Sequence, residues 1–325
     1  MTDIIRKEVL AAEKRIRKHI RETPLESSPY LSQEGNCQVH LKLENFQHSG
    51  SFKARGALSK YLSLTDSDKE RGIMTASSGN HGAAVAYVLN KFSGKGTIYV
   101  PHSTPRSKVE LLRLYGVDLE LYGDFSVETE AYAQEMAEKN GRTYISPYND
   151  FKVIGGQGTI GIELLKQMNE IDTVLVPIGG GGLISGIGGY LKSAGKRIEV
   201  IGCETENSPA MSASIKAGKI IEVPYIPTLA DGTVGGMEQG SITFDLCKKI
   251  VDDFILVSEE EMGQAIRLIV EKHHLVVEGA AAMPVAAFLK KTERFKGKNV
   301  VLILTSSKIN LETLKEIICP QKSQL

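Results

Sequence analysis

Three short segments carry groups able to do chemistry. In residues 50–57 (GSFKARGA), Lys53 stands just after a turn and ahead of a run of small residues that reads as a helix. An amine beside Phe52 and near a helix start has its pKa lowered by desolvation and by the positive helix end. Such an amine can form a Schiff base with a carbonyl, although a lone lysine is far more often a solvated surface residue. In residues 75–86 (TASSGNHGAAVA), Ser77, Ser78, Asn80 and His81 occupy a loop between a strand and a helix. Main-chain amides at a helix N-terminus make a receptor for a carboxylate, but Ser and Asn also favour this position simply as caps. In residues 173–191 (TVLVPIGGGGLISGIGGYL) an apolar strand runs into Gly179, Gly180, Gly181 and Gly182, and then into a helix. Glycines let amides approach an anion, and the helix points its positive end at the same place, so a phosphate site is the natural reading. A tight turn for helix–sheet packing is the plain alternative. Which phosphate is left open: Gly180-x-Gly182-xxx-Gly186 approaches a dinucleotide fingerprint, and Glu204 stands where a ribose-binding acid would sit.

These segments need elements to hold them. Residues 3–21 space apolar side chains as a helix does, and Thr23-Pro24 ends it. Residues 38–44 alternate like a strand. Further short apolar strands are expected near 73–75 and at 96–100, 118–121, 173–177, 198–203, 254–257 and 299–304, most followed by a helical segment. That alternation implies an α/β fold of doubly wound parallel sheets covered on both faces. One such sheet occupies ~150 residues, so two sheets are expected. The smaller domain is placed at residues 61–148, and the larger combines residues 1–60 with 149–325, with a cleft between them.

Composition narrows the class. Of 325 residues, 39 are Lys or Arg and 39 Asp or Glu, so formal net charge is zero. That balance speaks against nucleic acid or an anionic membrane as the main partner. Cys37, Cys203, Cys247 and Cys319 are scattered, with no CxxC pair or Cys/His cluster, and read as free thiols. No apolar run reaches the ~18 residues of a membrane span, and residues 1–21 carry no apolar leader. A soluble cytoplasmic protein is expected.

Taken together and in this order, SFKARGA, SSGNHG and GGGGL resemble the fold-type II pyridoxal-phosphate (PLP) enzymes, and most closely their serine/threonine dehydratase and serine racemase group. The resemblance extends from about residue 3 to 315 and includes LKLENFQHSGSFKARGA, GQGTIGIELL (residues 156–165) and ADG (residues 230–232). It turns the phosphate question away from a dinucleotide, which has no use for the first two motifs. It implies that Lys53 carries PLP as a Schiff base, with Phe52 flanking the ring and Asn80 bonding its 3-oxygen. Main-chain amides of Gly179, Gly180, Gly181, Gly182 and Leu183 would hold the phosphate. Ser77, Asn80 and His81 would gather the substrate carboxylate. Ser78 would serve as the second acid/base, across the cofactor from Lys53.

The chain departs from that family pattern in places. Relatives place a Ser or Thr hydroxyl at the pyridine nitrogen within an SGGN-like stretch; here the stretch is Thr305-Ser306-Ser307-Lys308, which keeps the hydroxyl at Thr305 and loses the glycines and asparagine. A neutral partner makes the ring a weaker electron sink than a carboxylate would. Members with a divalent-cation site supply three ligands that map to Glu204, Ser208 and Ala210. The third has no carboxylate here, which argues against a tight site and leaves Glu204 and Ser208 as the only candidates. The regulatory domain of biosynthetic threonine dehydratases is not expected.

The resemblance therefore implies a PLP-dependent ammonia-lyase. It would expel water from L-serine, L-threonine or a related hydroxy amino acid to give a 2-oxo acid and ammonia, as a homodimer acting on a small amino acid. Racemisation through Ser78 is the alternative within the family. Two further readings belong to other classes: a dinucleotide-binding oxidoreductase, favoured only by the glycine turn with Glu204, and a catalytically silent binding relative, prompted by Ser306-Ser307-Lys308.

Overall fold

Short apolar runs, closed off by glycine, proline or polar residues, become ten strands in the computed structural model, which describes residues 2–195, 197–224 and 226–319. They are β1 (Leu25–Ser27), β2 (Gln38–Leu43), β3 (Ile73–Ala76), β4 (Gly96–Val100), β5 (Asp118–Leu121), β6 (Thr143–Tyr144), β7 (Thr173–Pro177), β8 (Glu199–Thr205), β9 (Asp253–Val257) and β10 (Asn299–Leu304). Two sheets result, ordered β1-β2-β10-β7-β8-β9 and β5-β4-β3-β6. Every pairing is parallel except β1 on β2. Parallel neighbours require crossovers, and the intervening helices supply them on both faces.

Alternate residues of one strand serve the two faces of the larger sheet. Leu175, Ile201 and Leu302 pack with the helices Glu259–His273 and Gly279–Lys290. Val174, Val176, Val301 and Ile303 pack with the helix Gly182–Ser193 on the other side. In the smaller sheet, Ile73, Ile98 and Val100 face the helices Lys53–Leu62 and Asn80–Phe92. Met74, Ala76 and Tyr99 face the helix Ser126–Lys139.

The first helix is shorter than its periodicity suggests. It runs Thr2–Ile16, tightens into a 3-10 turn at Arg17–His19, and gives way to extended backbone at Ile20. Its Ile5 and Val9 join the core under the larger sheet. Arg17 leaves the helix to reach Glu163 at 2.8 Å.

That contact belongs to a buried ionic network. Arg55 bonds Glu44 and Glu163, each at 2.7 Å, and Lys42 bonds Glu163 at 2.6 Å. Arg55 also donates to Thr159 Oγ1, and Gln157 Oε1 accepts from the Gly56 amide. The polar residues of GQGTIGIELL are thus turned toward the helix that begins at Lys53. Burying such charges is tolerable only because each is paired. Arg55 holds the Glu163 carboxyl below the usual carboxylate range despite its burial. No described helix is long and apolar enough to cross a membrane.

Candidate active site

Lys53 is the first residue of its helix, and two devices fix it there. Ser51 Oγ accepts from the Lys53 amide. The preceding loop is stitched to the chain beyond β10: Ser51 bridges Ser306, the Phe52 amide donates to the Thr305 carbonyl at 3.1 Å, and the Ser307 amide donates to the Gly50 carbonyl at 3.2 Å. The side chain reaches toward the smaller sheet, where Nζ donates to the Pro147 carbonyl at 2.8 Å and lies 5.3 Å from the Phe52 ring centre. Desolvation pulls the Lys53 amine down to about 8, and the carboxylates of Glu130 and Glu278 only partly oppose it.

The serine loop follows β3 and opens the helix Asn80–Phe92. Ser77 Oγ accepts from the Gly79 amide at 3.2 Å. Ser78 makes no hydrogen bond among the described residues. His81 is buried, and its Nε2 meets the Ile145 carbonyl at 3.0 Å. A carbonyl demands a donor, so the proton sits on Nε2. Burial and the nearby Lys53 push the His81 imidazole down to about 3, leaving the ring neutral. An anion at this loop therefore meets backbone N–H groups and not a histidine cation.

The glycine turn joins β7 to the helix Gly182–Ser193 and is roofed by side chains from elsewhere. A Cβ at Gly180 would lie 2.4 Å from the Tyr148 ring, and one at Gly179 2.8 Å from the Thr233 carbonyl. Only glycine admits those approaches. Gly181 takes φ +82, in the left-handed region. Among the described residues no backbone carbonyl meets the amides of Gly180 or Leu183. A cradle of free amides at a helix N-terminus suits a phosphate group. Tyr148 is held in place by accepting from the Glu238 amide at 2.9 Å.

The far side of the site is built at the end of β10. Thr305 and Ser306 are buried, their hydroxyl oxygens 3.2 Å apart. Behind them sits Glu278, which reasoning from the sequence missed; its carboxylate accepts from Asn80 Nδ2 at 2.8 Å. That bond fixes which end of the Asn80 amide is nitrogen, and leaves Asn80 Oδ1 buried without a partner among the described residues. Burial raises the Glu278 carboxyl, while hydrogen bonding from Ser306 and Asn80 works against it. Lys308 lies beside this cluster; desolvation draws its amine down to about 8, with Glu278 opposing.

Five more residues escaped the sequence reading. Glu130, on the helix Ser126–Lys139, is pushed up to about 7 by desolvation and by Glu238, while Lys53 works against the rise. Glu238 accepts from Asn149 Nδ2 at 2.6 Å. Pro147, Tyr148 and Asn149 form one segment that touches Lys53, the glycine turn and Glu238. Its sequence, SPYND, carries no signal beyond that of an ordinary turn. Glu204, the candidate ribose or cation ligand, lies elsewhere in function: its oxygens accept from the Met211 and Ser212 amides at 2.8 and 2.9 Å, capping a helix. Among the described residues no group of three or more His, Cys, Asp or Glu is arranged to hold a metal.

Lys53, the serine loop, the glycine turn and Thr305 are therefore brought to one place, where the two sheets meet. Comparison with known proteins gives the family. A family model described as pyridoxal-phosphate dependent enzyme matches residues 16–306. The L-threonine ammonia-lyase of Thermotoga maritima is 39% identical over 311 residues, covering 96% of this chain and 77% of the relative. Among solved structures, the processed form of threonine deaminase isoform 2 from Solanum lycopersicum superposes with a TM-score of 0.91 at 30% identity, over 97% of this chain and 92% of that one. Maize serine racemase superposes with a TM-score of 0.90 at 32% identity, over 96% and 95%.

Proposed function

Because this chain belongs to the pyridoxal-phosphate-dependent enzymes, we propose that it expels water from L-threonine, L-serine or a related hydroxy amino acid, giving a 2-oxo acid and ammonia. The observation that carries this reading is Lys53, whose amine is drawn down to about 8 between a phosphate-shaped glycine cradle and a carboxylate-shaped serine loop. The names of the threonine ammonia-lyase and threonine deaminase relatives support the choice of substrate.

Bound pyridoxal phosphate supplies an aldehyde for amines to condense with and a ring that withdraws electrons from the substrate α-carbon. In this reading the amides of residues 179–183 hold its phosphate. Asn80 Nδ2 keeps one hydrogen for the 3-oxygen, the other being given to Glu278. Thr305 Oγ1 would be the partner of the ring nitrogen. The Ser77 hydroxyl and the amides of Asn80 and His81 would receive the substrate carboxylate, the Ser77 amide being held by the Tyr99 carbonyl and the His81 ring being neutral and committed to Ile145.

When Lys53 is not committed to the cofactor, its Nζ would accept the substrate α-proton; a base whose pKa lies near the working pH does this well. The β-hydroxyl departs as water, taking a proton from the Lys53 ammonium. The released enamine takes up water in solution to give the 2-oxo acid and ammonia. Racemisation is the second reading, supported by the likeness to maize serine racemase. For it, the Ser78 hydroxyl, free of hydrogen bonds to described residues, is the second proton carrier.

We assign the enzyme to the cytoplasm as a homodimer, which light scattering tests. Activity is tested by following 2-oxo acid and ammonia from L- and D-serine, threonine and 3-hydroxyaspartate. Release from L-threonine or L-serine is expected. Absence of product from every substrate in cofactor-loaded protein sinks the proposal.

A further inference from the structure

The glycine turn is crossed by a second loop, residues 234–240 (VGGMEQG), which the reaction above does not use. Both its feet stand on the turn. Before it, the Thr233 carbonyl lies 2.8 Å from where a Cβ at Gly179 would be; after it, Thr243 Cβ lies 3.2 Å from one at Gly181. Its middle is tied to the side chain that covers Gly180, because the Glu238 amide donates to Tyr148 Oη at 2.9 Å. The Glu238 carboxylate accepts from Asn149 Nδ2 at 2.6 Å. It also accepts at 3.4 Å from Gln134 Nε2, on the helix Ser126–Lys139 that covers the smaller sheet. Among the described residues, no other member of 234–240 hydrogen-bonds outside the loop.

Gly235, Gly236 and Gly240 flank that tie at φ +123, +72 and +76, and a Cβ at any of them would meet nothing within 4 Å. Unlike Gly179 and Gly180, they are not glycine to let another group approach; they are glycine for their backbone angles. A loop with pivots on both sides of a single latching residue can swing as a unit once few bonds are broken. We propose that residues 234–240 are a strap over the cofactor's phosphate cradle, latched by Glu238 to Tyr148 and Asn149, and that release of the latch admits and frees the cofactor. The proposal rests on the reading of the glycine turn as the phosphate site. Glu238 is a positioning residue in it, acting through Tyr148 and Asn149 with no contact of its own to the cofactor.

Such a strap shows itself in rates and not in affinity. If the cofactor passes only while the latch is open, entry and exit both scale with the open fraction, and their ratio is left nearly unchanged. Losing the hydrogen bonds that the Glu238 carboxylate accepts should raise that fraction about tenfold, since bonds to a charged group are the stronger kind. Tyr148→Phe removes the acceptor of the Glu238 amide and keeps the ring over Gly180. It loosens the latch from the other side without unroofing the cradle, and the loss of one neutral hydrogen bond is worth about fivefold.

The test is stopped-flow fluorescence on the full-length apo-protein with pyridoxine 5′-phosphate, which keeps the phosphate but has an alcohol in place of the aldehyde and so forms no bond to Lys53. Association is followed directly, and dissociation by displacement with excess pyridoxal phosphate. Glu238→Ala should raise both rates about tenfold and Tyr148→Phe about fivefold, with dissociation constants within about threefold of the wild type. Thermal melts check that each variant is folded, and Tyr148→Phe carries the test alone if Glu238→Ala is not. Faster dissociation with unchanged association would make Glu238 an ordinary support of the bound state and overturns the strap, as do unchanged rates in both variants. Gly180→Ala judges the cradle separately. Undiminished affinity there rejects the phosphate reading and the strap with it; weakened binding there, with unmoved rates in the strap variants, rejects the strap alone.

Discussion

Capture of the cofactor by the apo-protein should follow the titration of Lys53, because only the neutral amine attacks an aldehyde. The amine sits at about 8 where an ordinary lysine has 10.5. At pH 7 about a tenth of the Lys53 amines would be neutral, against roughly three in ten thousand for an unperturbed lysine, a ratio of about 300. Burial lowers the pKa because the charged form loses hydration, so raising pH past about 8 should saturate the rate and not keep accelerating it. Between about pH 6 and 8 the capture rate should climb ~50-fold; between about pH 8.5 and 10 it should rise by only about a third. Stopped-flow absorbance on apo-protein, with borohydride trapping to locate the adduct on Lys53, measures this directly. A rate that climbs ~25-fold over the upper interval is the signature of an ordinary lysine. It would refute the claim that the Pro147–Phe52 surroundings desolvate this amine.

Other outcomes follow from contacts already described. Gly180→Ala places a Cβ 2.4 Å from the Tyr148 ring; the shift needed should cost about 1–3 kcal/mol of cofactor affinity. Titration of pyridoxal phosphate binding reads that cost, and adding Tyr148→Ala should recover part of it. Arg55→Ala strands Glu44 and Glu163 without their cation and should cost about 3–5 kcal/mol in urea unfolding at neutral pH. A loss under ~1 kcal/mol would mean that water reaches the network. Ser78→Ala should spare most elimination from the L-substrate and abolish interconversion of enantiomers, which chiral chromatography of serine resolves; undiminished racemisation would assign the second face to another residue.

Much of the scaffold was legible. The strands at 96–100, 118–121, 173–177 and 299–304 fall where the apolar runs end, because glycine, proline, aspartate and asparagine sit at their borders. β1 and β6 were not legible: three and two residues give periodicity nothing to act on, and they exist because a neighbouring strand offers an edge. At the site, the motif residues announce themselves by glycine, serine and a lone lysine packed into short loops. Glu278 does not, since a glutamate before a helix rich in alanine reads as an ordinary cap. Only tertiary pairing with Asn80, far away in sequence, gives it another meaning. Glu130 is similarly hidden, one of several acids on a helix whose outer face is solvated.

The stitching of residues 50–52 to residues 305–307 also bears on how the molecule comes into being. β2, which leads to Lys53, finds its parallel neighbour β10 only across most of the chain's length. Such a pairing has a high loop-closure entropy and belongs to the slow part of folding. As the polypeptide leaves the ribosome, the smaller sheet and β7 with its glycine turn can assemble while the lysine loop still lacks the strand that anchors it. With Lys53 as the proposed attachment point, acquisition of the cofactor would be a late event. Its colour would then report that the last strand has docked, and a chain stalled before β10 would be folded in part yet unable to take up the group on which its chemistry depends.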